Sequence, residues 1–269
     1  MPGSRRFDGA CILTDSETET TSTLPAEARK AVTAVMAEDD RPRRKRPAKV
    51  PVLLSWSGGK DSAMAAYQLL ASQKYEIAAL VTTLTQEFDR ISMHGVRREL
   101  LEQQAQSLHI PLQTVLIPKD CSNEIYETRM RATLTQFKAQ GIATIAFGDL
   151  FLADIRKYRD ERLADIGMSG LYPIWMRDTD ELVRTFIGLG FKALLACVDT
   201  EALPAAFAGR EIDRDLLRDL PASVDPCGEY GEYHSFVFDG PIFSKPVACR
   251  AGATVMRTPR FAYCDILPT

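Results

Sequence analysis

Short apolar runs alternate with amphipathic stretches from residue 50 to about residue 200. The run VLLSW at 52–56 is nearly continuous, the pattern of a strand buried on both faces. Residues 63–70 predict a helix, and 77–83 a second strand. Residues 96–108 place Val96, Leu100, Leu101 and Leu108 on one helical stripe. A third strand is expected over 112–117, a helix over 123–139, and a fourth strand over 144–147, ending at Gly148-Asp149. This βαβ series predicts a parallel sheet with helices on both faces. Ligands of such sheets sit at the carboxyl ends of the strands. The loop after the first strand, the segment 83–94 and Gly148-Asp149 all fall on that edge.

The pattern then changes. A helix is expected over 152–166, a short strand over 172–175, a helix capped by Asp178 and running to Gly188, and a strand over 192–198. After Leu220 the chain is rich in loops, until an aromatic strand at 236–238. Residues 15–23 are polar and low in complexity, too poor in apolar side chains to offset their ordering entropy. A short helix is expected over 25–38. The basic run at 41–49 suits an anionic contact, an import signal or, in the reading preferred here, a solvated linker.

Composition narrows the class. Hydrophobic residues make up 45% and charged residues 26%, as in ordinary globular proteins. A net charge of -3 gives no electrostatic case for nucleic-acid binding by the whole chain. No apolar run approaches the roughly 18 residues that span a bilayer, so no membrane partner is expected. The first ten residues have no apolar signal segment, which predicts a cytoplasmic protein. The six cysteines form no C-x-x-C pair, so a structural zinc site is not expected, and all six are expected to be reduced.

The chemistry concentrates in two places. Ser57-Gly58-Gly59-Lys60-Asp61-Ser62 follows the first strand and opens a helix. Backbone N–H groups and a helix N-terminus then converge on one spot, a natural anion site. Adjacent glycines allow close approach, Lys60 adds a cation, and Ser57 and Ser62 add donors. The spacing matches neither G-x-x-x-x-G-K-[ST] nor G-x-G-x-x-G. The second place is Cys227-Gly228-Glu229-Tyr230-Gly231-Glu232-Tyr233-His234. Glu229 and Glu232 there suit an ammonium ion, a metal or base chemistry, and equally a capped hairpin with surface carboxylates.

SGGKDS resembles the pyrophosphate loop of the ATP pyrophosphatases, the adenine-nucleotide alpha-hydrolase superfamily. With F-G-D-L at 147–150, W-x-R-D at 175–178 and C-G-E-x-G-E-Y near the end, residues 50–245 resemble the diphthine–ammonia ligase family. The resemblance implies an α/β fold: a parallel-sheet, HUP-like nucleotide-binding domain over 50–150 and a smaller α/β substrate domain over 151–248. These are flanked by a disordered extension over 1–49 and a tail over 249–269. It implies ATP and Mg²⁺ as cofactors, ammonium as nitrogen donor, and a carboxylate acceptor that is adenylated with release of pyrophosphate. Residues 57–62, His94, Gly148 and Asp149 would hold the nucleotide, with Asp61 beside the metal and Lys60, Asp61, Glu229 and Glu232 catalytic. Asp154, Arg159, Arg177, Asp178, Cys227, Gly228, Glu229, Gly231, Glu232 and His234 would meet the acceptor. The family motif reads C-G-E-G-G-E-Y-E-T, whereas this chain has Tyr230 and His234, and its 92–98 segment looks like a bacterial-type branch. The acceptor is therefore left open between protein-bound diphthine and a small molecule, cobalamin salvage being one proposed role. A homodimer is possible. A tRNA-modifying member or a non-catalytic adenine-nucleotide-binding protein are the other classes.

Overall fold

The computed structural model describes residues 48–269 apart from Met93 and Thr258. The low-complexity segment, the helix expected over 25–38 and most of the basic run lie outside the described residues. Five parallel strands form the centre: β1 (Val50–Ser55), β2 (Tyr75–Thr85), β4 (Leu112–Ile117), β5 (Thr144–Ala146) and β6 (Ser169–Leu171). Their order across the sheet is β4-β2-β1-β5-β6, and the two-residue β3 (Arg90–Ile91) adds an antiparallel pair at the end of β2. Successive strands therefore progress outward from β1 in one direction and then restart on its other side at β5. That reversal opens a crevice at the carboxyl ends of β1 and β5.

Helices α1 (Lys60–Ala71), α2 (Arg98–Leu108), α3 (Asn123–Ala139) and α4 (Ala153–Ala164) make the crossovers. On one face α1 buries Ala63, Met64, Ala65, Ala66 and Leu69, and α2 buries Leu100, Leu101, Ala105 and Leu108. On the other face α3 buries only Leu134, and α4 only Leu163. The two faces of the sheet are thus covered to very different depths.

A second, antiparallel sheet follows, in the order β8-β7-β10-β9. It holds β7 (Lys192–Asp199), β8 (Tyr233–Asp239), β9 (Cys249–Met256) and β10 (Phe261–Pro268), with α5 (Thr179–Gly188) and α6 (Arg214–Asp219) alongside. One apolar cluster runs without a break from Val52 and Leu54 through α1 and α2 to Phe186, Leu195 and Phe236. Burial of this shared core fixes β8 against the first sheet, and with it the loop that precedes β8. Among the described residues no helix is long and apolar enough to cross a membrane.

Two local expectations change. Residues 172–175 are not a strand: Trp175 N donates to Tyr172 O at 3.2 Å in a turn, and the strand lies just before, over Ser169–Leu171. Pro173 has no N–H to give a ladder, which favours the earlier register. Residues 249–269, read as a tail, form β9 and β10. Ala262, Cys264 and Ile266 of β10 alternate inward and are buried.

Candidate active site

The 57–62 loop is shaped by parts of the chain far from it in sequence. Gly58 has φ +73, and a side chain there would meet Gln104 Oε1 at 2.8 Å. Gln104 itself is buried. Its amide donates to the carbonyls of Gly58 (3.0 Å) and Val237 (2.5 Å) and accepts from Trp56 Nε1 (2.9 Å). Val237 N also donates to Gly58 O at 2.8 Å, and Lys60 N donates to Ser235 Oγ at 3.1 Å. Helix α2 and strand β8 therefore hold the loop from behind. Inside it, Ser62 Oγ donates to Gly59 O (2.9 Å), and the Ser57 and Ser62 hydroxyls lie 3.2 Å apart. No side chain caps the start of α1. Its first turn faces the crevice with backbone N–H groups that no side chain caps, and the one acidic residue of that turn, Asp61, is paired with Lys60.

Lys60 is only 3% exposed, and its ammonium lies 2.7 and 2.9 Å from the two Asp61 oxygens. Burial, the largest single influence, would lower its pKa, but the Asp61 carboxylate together with Cys227 and Tyr233 holds it above the ordinary lysine range. Gly148 closes against the same helix start. A side chain there would sit 2.7 Å from the Asp61 carbonyl carbon and 2.9 Å from Ser62 N. Asp149 pairs with Arg159 at 2.9 Å, and the Arg159 guanidinium lies 4.3 Å above the Phe147 ring. Burial raises the Asp149 pKa in spite of Arg159.

The 225–232 loop forms the opposite wall and is fastened mainly by its own carboxylates. Glu232 accepts from the backbone N–H of Asp225 (3.0 Å) and of Tyr230 (2.9 Å). Asp225 accepts from Cys227 N (2.8 Å), Glu229 N (3.3 Å) and Thr179 Oγ1 (2.7 Å). That arrangement turns Glu229 inward, where it accepts from Leu150 N at 3.4 Å. Burial, and then the Asp61 charge, push its carboxyl up to about 7 against the pull of Lys60. Burial pushes the Cys227 thiol up to about 12, and the thiol donates to Thr179 O at 3.2 Å. His94 and His234 stack with ring centroids 4.4 Å apart. Burial first, and then His234, hold His94 down at about 3; burial and Lys60 lower His234. Both imidazoles are neutral at pH 7.

These walls enclose a cleft of about 830 Å³, counted to its open mouth. Among the residues expected from sequence, Ser57, Gly59, Lys60, Asp61, Ser62, His94, Gly148, Asp149, Arg159, Gly228, Glu229, Gly231 and His234 line it. A second recess of about 680 Å³, at the ends of β1 and β2, adds Trp56, Val81, Thr82 and Thr83 and shares Ser57, His94, Arg159 and His234 with the cleft. The remaining expected residues do not line the cleft. Gly58 and Cys227 lie behind their loops, and Glu232 is spent on loop backbone. Asp154 is exposed in the first turn of α4. Arg177 pairs with Glu181 at 3.0 Å, and Asp178 caps α5 by accepting from Glu181 N at 2.8 Å. Sequence reasoning missed Gln104 and Ser235. Gln104 left a signal: it is a polar residue on the apolar stripe of α2. Ser235 left none, because its partner is 175 positions away.

The model of the diphthamide synthase N-terminal domain matches residues 48–169, and that of the diphthamide synthase C-terminal domain matches residues 178–266. The diphthine–ammonia ligases of Mus musculus and Homo sapiens are each 24% identical over 225 residues, covering 75% of this chain and 84% of theirs. That of Schizosaccharomyces pombe is 24% identical over 214 residues, and the match spans only 34% of its length. Among solved structures, a U34-tRNA thiolase from Methanococcus maripaludis aligns with a TM-score of 0.34 at 15% identity, over 60% of this chain and 64% of that one. With both domain models matched in order across the described fold, the chain belongs to the diphthine–ammonia ligase family of ATP-dependent ligases.

Proposed function

We propose that the chain forms an amide from a carboxylate and ammonia, driven by cleavage of ATP to AMP and pyrophosphate. The observation that carries this reading is the joint geometry of the two walls. An uncapped helix start and a buried lysine face a half-buried carboxyl whose pKa lies near 7. A carboxylate does not exchange its oxygen for nitrogen unaided, because oxide is a poor leaving group. Attack of the carboxylate oxygen on the α-phosphorus makes an acyl-adenylate and expels pyrophosphate. The 57–62 loop and Lys60 hold the departing charge with dipoles and a cation already in place. Ammonia then attacks the acyl carbon, and AMP leaves.

Glu229 is the proton acceptor in this scheme. A carboxylate with a pKa near 7 takes a proton from the nitrogen donor far better than one near 4.5. The base and ribose of ATP occupy the second recess, where Trp56, Val81 and Thr82 offer dry walls and His94 a neutral imidazole. Gly148 and Asp149 border the adenylate, and Arg159 meets the acceptor. Asp61 and the Ser57 and Ser62 hydroxyls are the hard oxygen donors available to Mg²⁺. One carboxylate with hydroxyls suits an ion that keeps its waters and shares phosphate oxygens, since no group of three or more His, Cys, Asp or Glu suited to metal is found among the described residues. Bound there, Mg²⁺ would neutralise phosphate charge. Such a protein would work in the cytoplasm on free ammonium. The test is the product pattern from ATP, Mg²⁺ and ammonium over a panel of carboxylates. AMP and pyrophosphate that depend on an acceptor are expected; nucleotide that binds and stays intact with every acceptor would make this a binding protein.

A further inference from the structure

The W-x-R-D stretch at 175–178 lies outside the cleft, and the scheme above leaves it without a task. Its backbone is unusual. Among the described residues five that are not glycine have a positive φ: Gln73, Asp89, His109, Asp120 and Met176. Met176, at φ +59, is the one without a polar side chain to bond nearby backbone. That side chain is 70% exposed, so its packing does not hold the conformation. Backbone does: Met176 N donates to Leu150 O at 2.7 Å. The turn around it is anchored. Ile174 is fully buried, Trp175 N donates to Tyr172 O and Arg177 N to Ile174 O at 3.2 Å each, and the Arg156 guanidinium lies 4.6 Å from both the Tyr172 and the Trp175 ring. Leu150, also fully buried, gives its own N–H to Glu229 Oε1 at 3.4 Å. Among the described residues, that is the hydrogen bond that reaches the Glu229 carboxylate. Leu150 is therefore bound at its carbonyl by the turn and at its N–H by the carboxyl of the cleft.

We propose that Met176 is a positioning residue for Glu229. Its N–H, delivered by the left-handed backbone of the 172–178 turn, fixes Leu150, and Leu150 in turn aims its own N–H at the Glu229 carboxylate. The inference rests on the reading of Glu229 as proton acceptor. The positive φ lets the chain present its N–H to Leu150 and still turn, two residues on, into the Asp178 cap of α5. An N–H donor favours the charged carboxylate and fixes its orientation. The other groups facing Glu229 are Lys60 and Asp61 of α1, Asp149 after β5, and Cys227 of its own loop. The charges of the turn are engaged elsewhere, Arg177 on Glu181 and Asp178 on the start of α5. The turn therefore reaches Glu229 through Leu150 and not through charge.

The test follows the Leu150 amide of the full chain by proton–nitrogen NMR over about pH 5 to about pH 9, beside the pH profile of acceptor-dependent pyrophosphate release. In the unaltered protein the amide should titrate with the Glu229 carboxyl, near pH 7, and Glu229→Gln should abolish that titration. Met176→Pro removes the N–H and forbids the left-handed conformation. It should at least halve the titration amplitude of the amide. It should also move the acid limb of turnover up by about half a pH unit or more, because losing a donor to the carboxylate raises its pKa. Affinity for α,β-methylene-ATP should stay within about two-fold. Met176→Ile keeps the N–H but disfavours positive φ. It should move amide and limb in the same direction by less, and it decides the matter if the proline variant does not fold. Met176→Gly keeps both the N–H and the conformation, and should hold the limb in place. An amide indifferent to pH over that range would overturn the inference. So would an acid limb that Met176→Pro and Met176→Ile leave in place, or one that Met176→Gly moves as far as they do. The two readings fail separately. ADP in place of AMP, with an amide that still titrates and responds to Met176, defeats adenylation alone. AMP with pyrophosphate and an unresponsive amide defeats this inference alone.

Discussion

The two loops that face each other across the cleft are built in opposite ways. The 57–62 loop is held from outside: Gln104 of α2, Ser235 and Val237 of β8, and the bare backbone of Gly148 all press on it. The 225–232 loop is held largely from within, because Asp225 and Glu232 bind its own backbone N–H groups, and Thr179 and Tyr233 add side-chain anchors from outside. The first loop therefore reports on the integrity of the whole fold. The second keeps its shape by itself and can vary its exposed tip. Tyr230, 71% exposed and 5.6 Å from the Phe151 ring, is that tip.

The contrast can be broken at four points. Lys60→Ala should have the largest effect, a loss of at least about 10²-fold in kcat/KM, because the cation facing the departing charge is gone. Steady-state pyrophosphate release measures it, with a circular dichroism melt to show that the fold survives. Gly148→Ala should lower kcat by about 10²-fold, since the added carbon must push the helix start and its loop aside. Its melting temperature should also fall, as befits a loop held from outside. Glu232→Gln replaces an acceptor of two backbone N–H groups with one that accepts through a single oxygen, at a cost of roughly 1–3 kcal/mol to the second loop. Nucleotide affinity should hold while turnover falls, and comparing the nucleotide Kd with kcat separates the two. Tyr230→Ala should be the mildest, within about 0.5 kcal/mol of the unaltered stability.

Acidity sharpens the same comparison. Burial raises the Glu229 carboxyl to about 7, so the carboxylate form is lost as pH falls through that value. Turnover should decline on the acid side of pH 7 with unit slope, and Glu229→Gln should be slow and flat there. The linked stability effect has the opposite sign. A carboxyl raised above its unfolded value favours the folded state most at low pH and progressively less from the ordinary value of 4.5 up to about 7.

Four of the five parallel strands were legible in the sequence because each holds a short apolar run, whereas β6, Ser169-Gly170-Leu171, was not; residues 57–62 were legible because the site is contiguous. Contributions that come from distant pairing were not legible. Ser235 acts on Lys60 through a contact set by the shared core, and β9 and β10 look like a tail until β7 supplies their partner edge. The 172–175 segment misled because Ile174 is fully buried, which reads as a strand although the backbone there turns. Glu229 and Glu232 look alike in sequence. Only the direction in which the loop turns them makes one face the cleft and the other fasten backbone.

The measurement that bears most directly on all of this is the fate of the α–β phosphate bond when the protein meets ATP, Mg²⁺, ammonium and a carboxylate acceptor. AMP and pyrophosphate in equal amounts, rising with acceptor and lost in Lys60→Ala, is the predicted result. ADP with inorganic phosphate would place the cut at the γ-phosphate and contradict the account of the 57–62 loop.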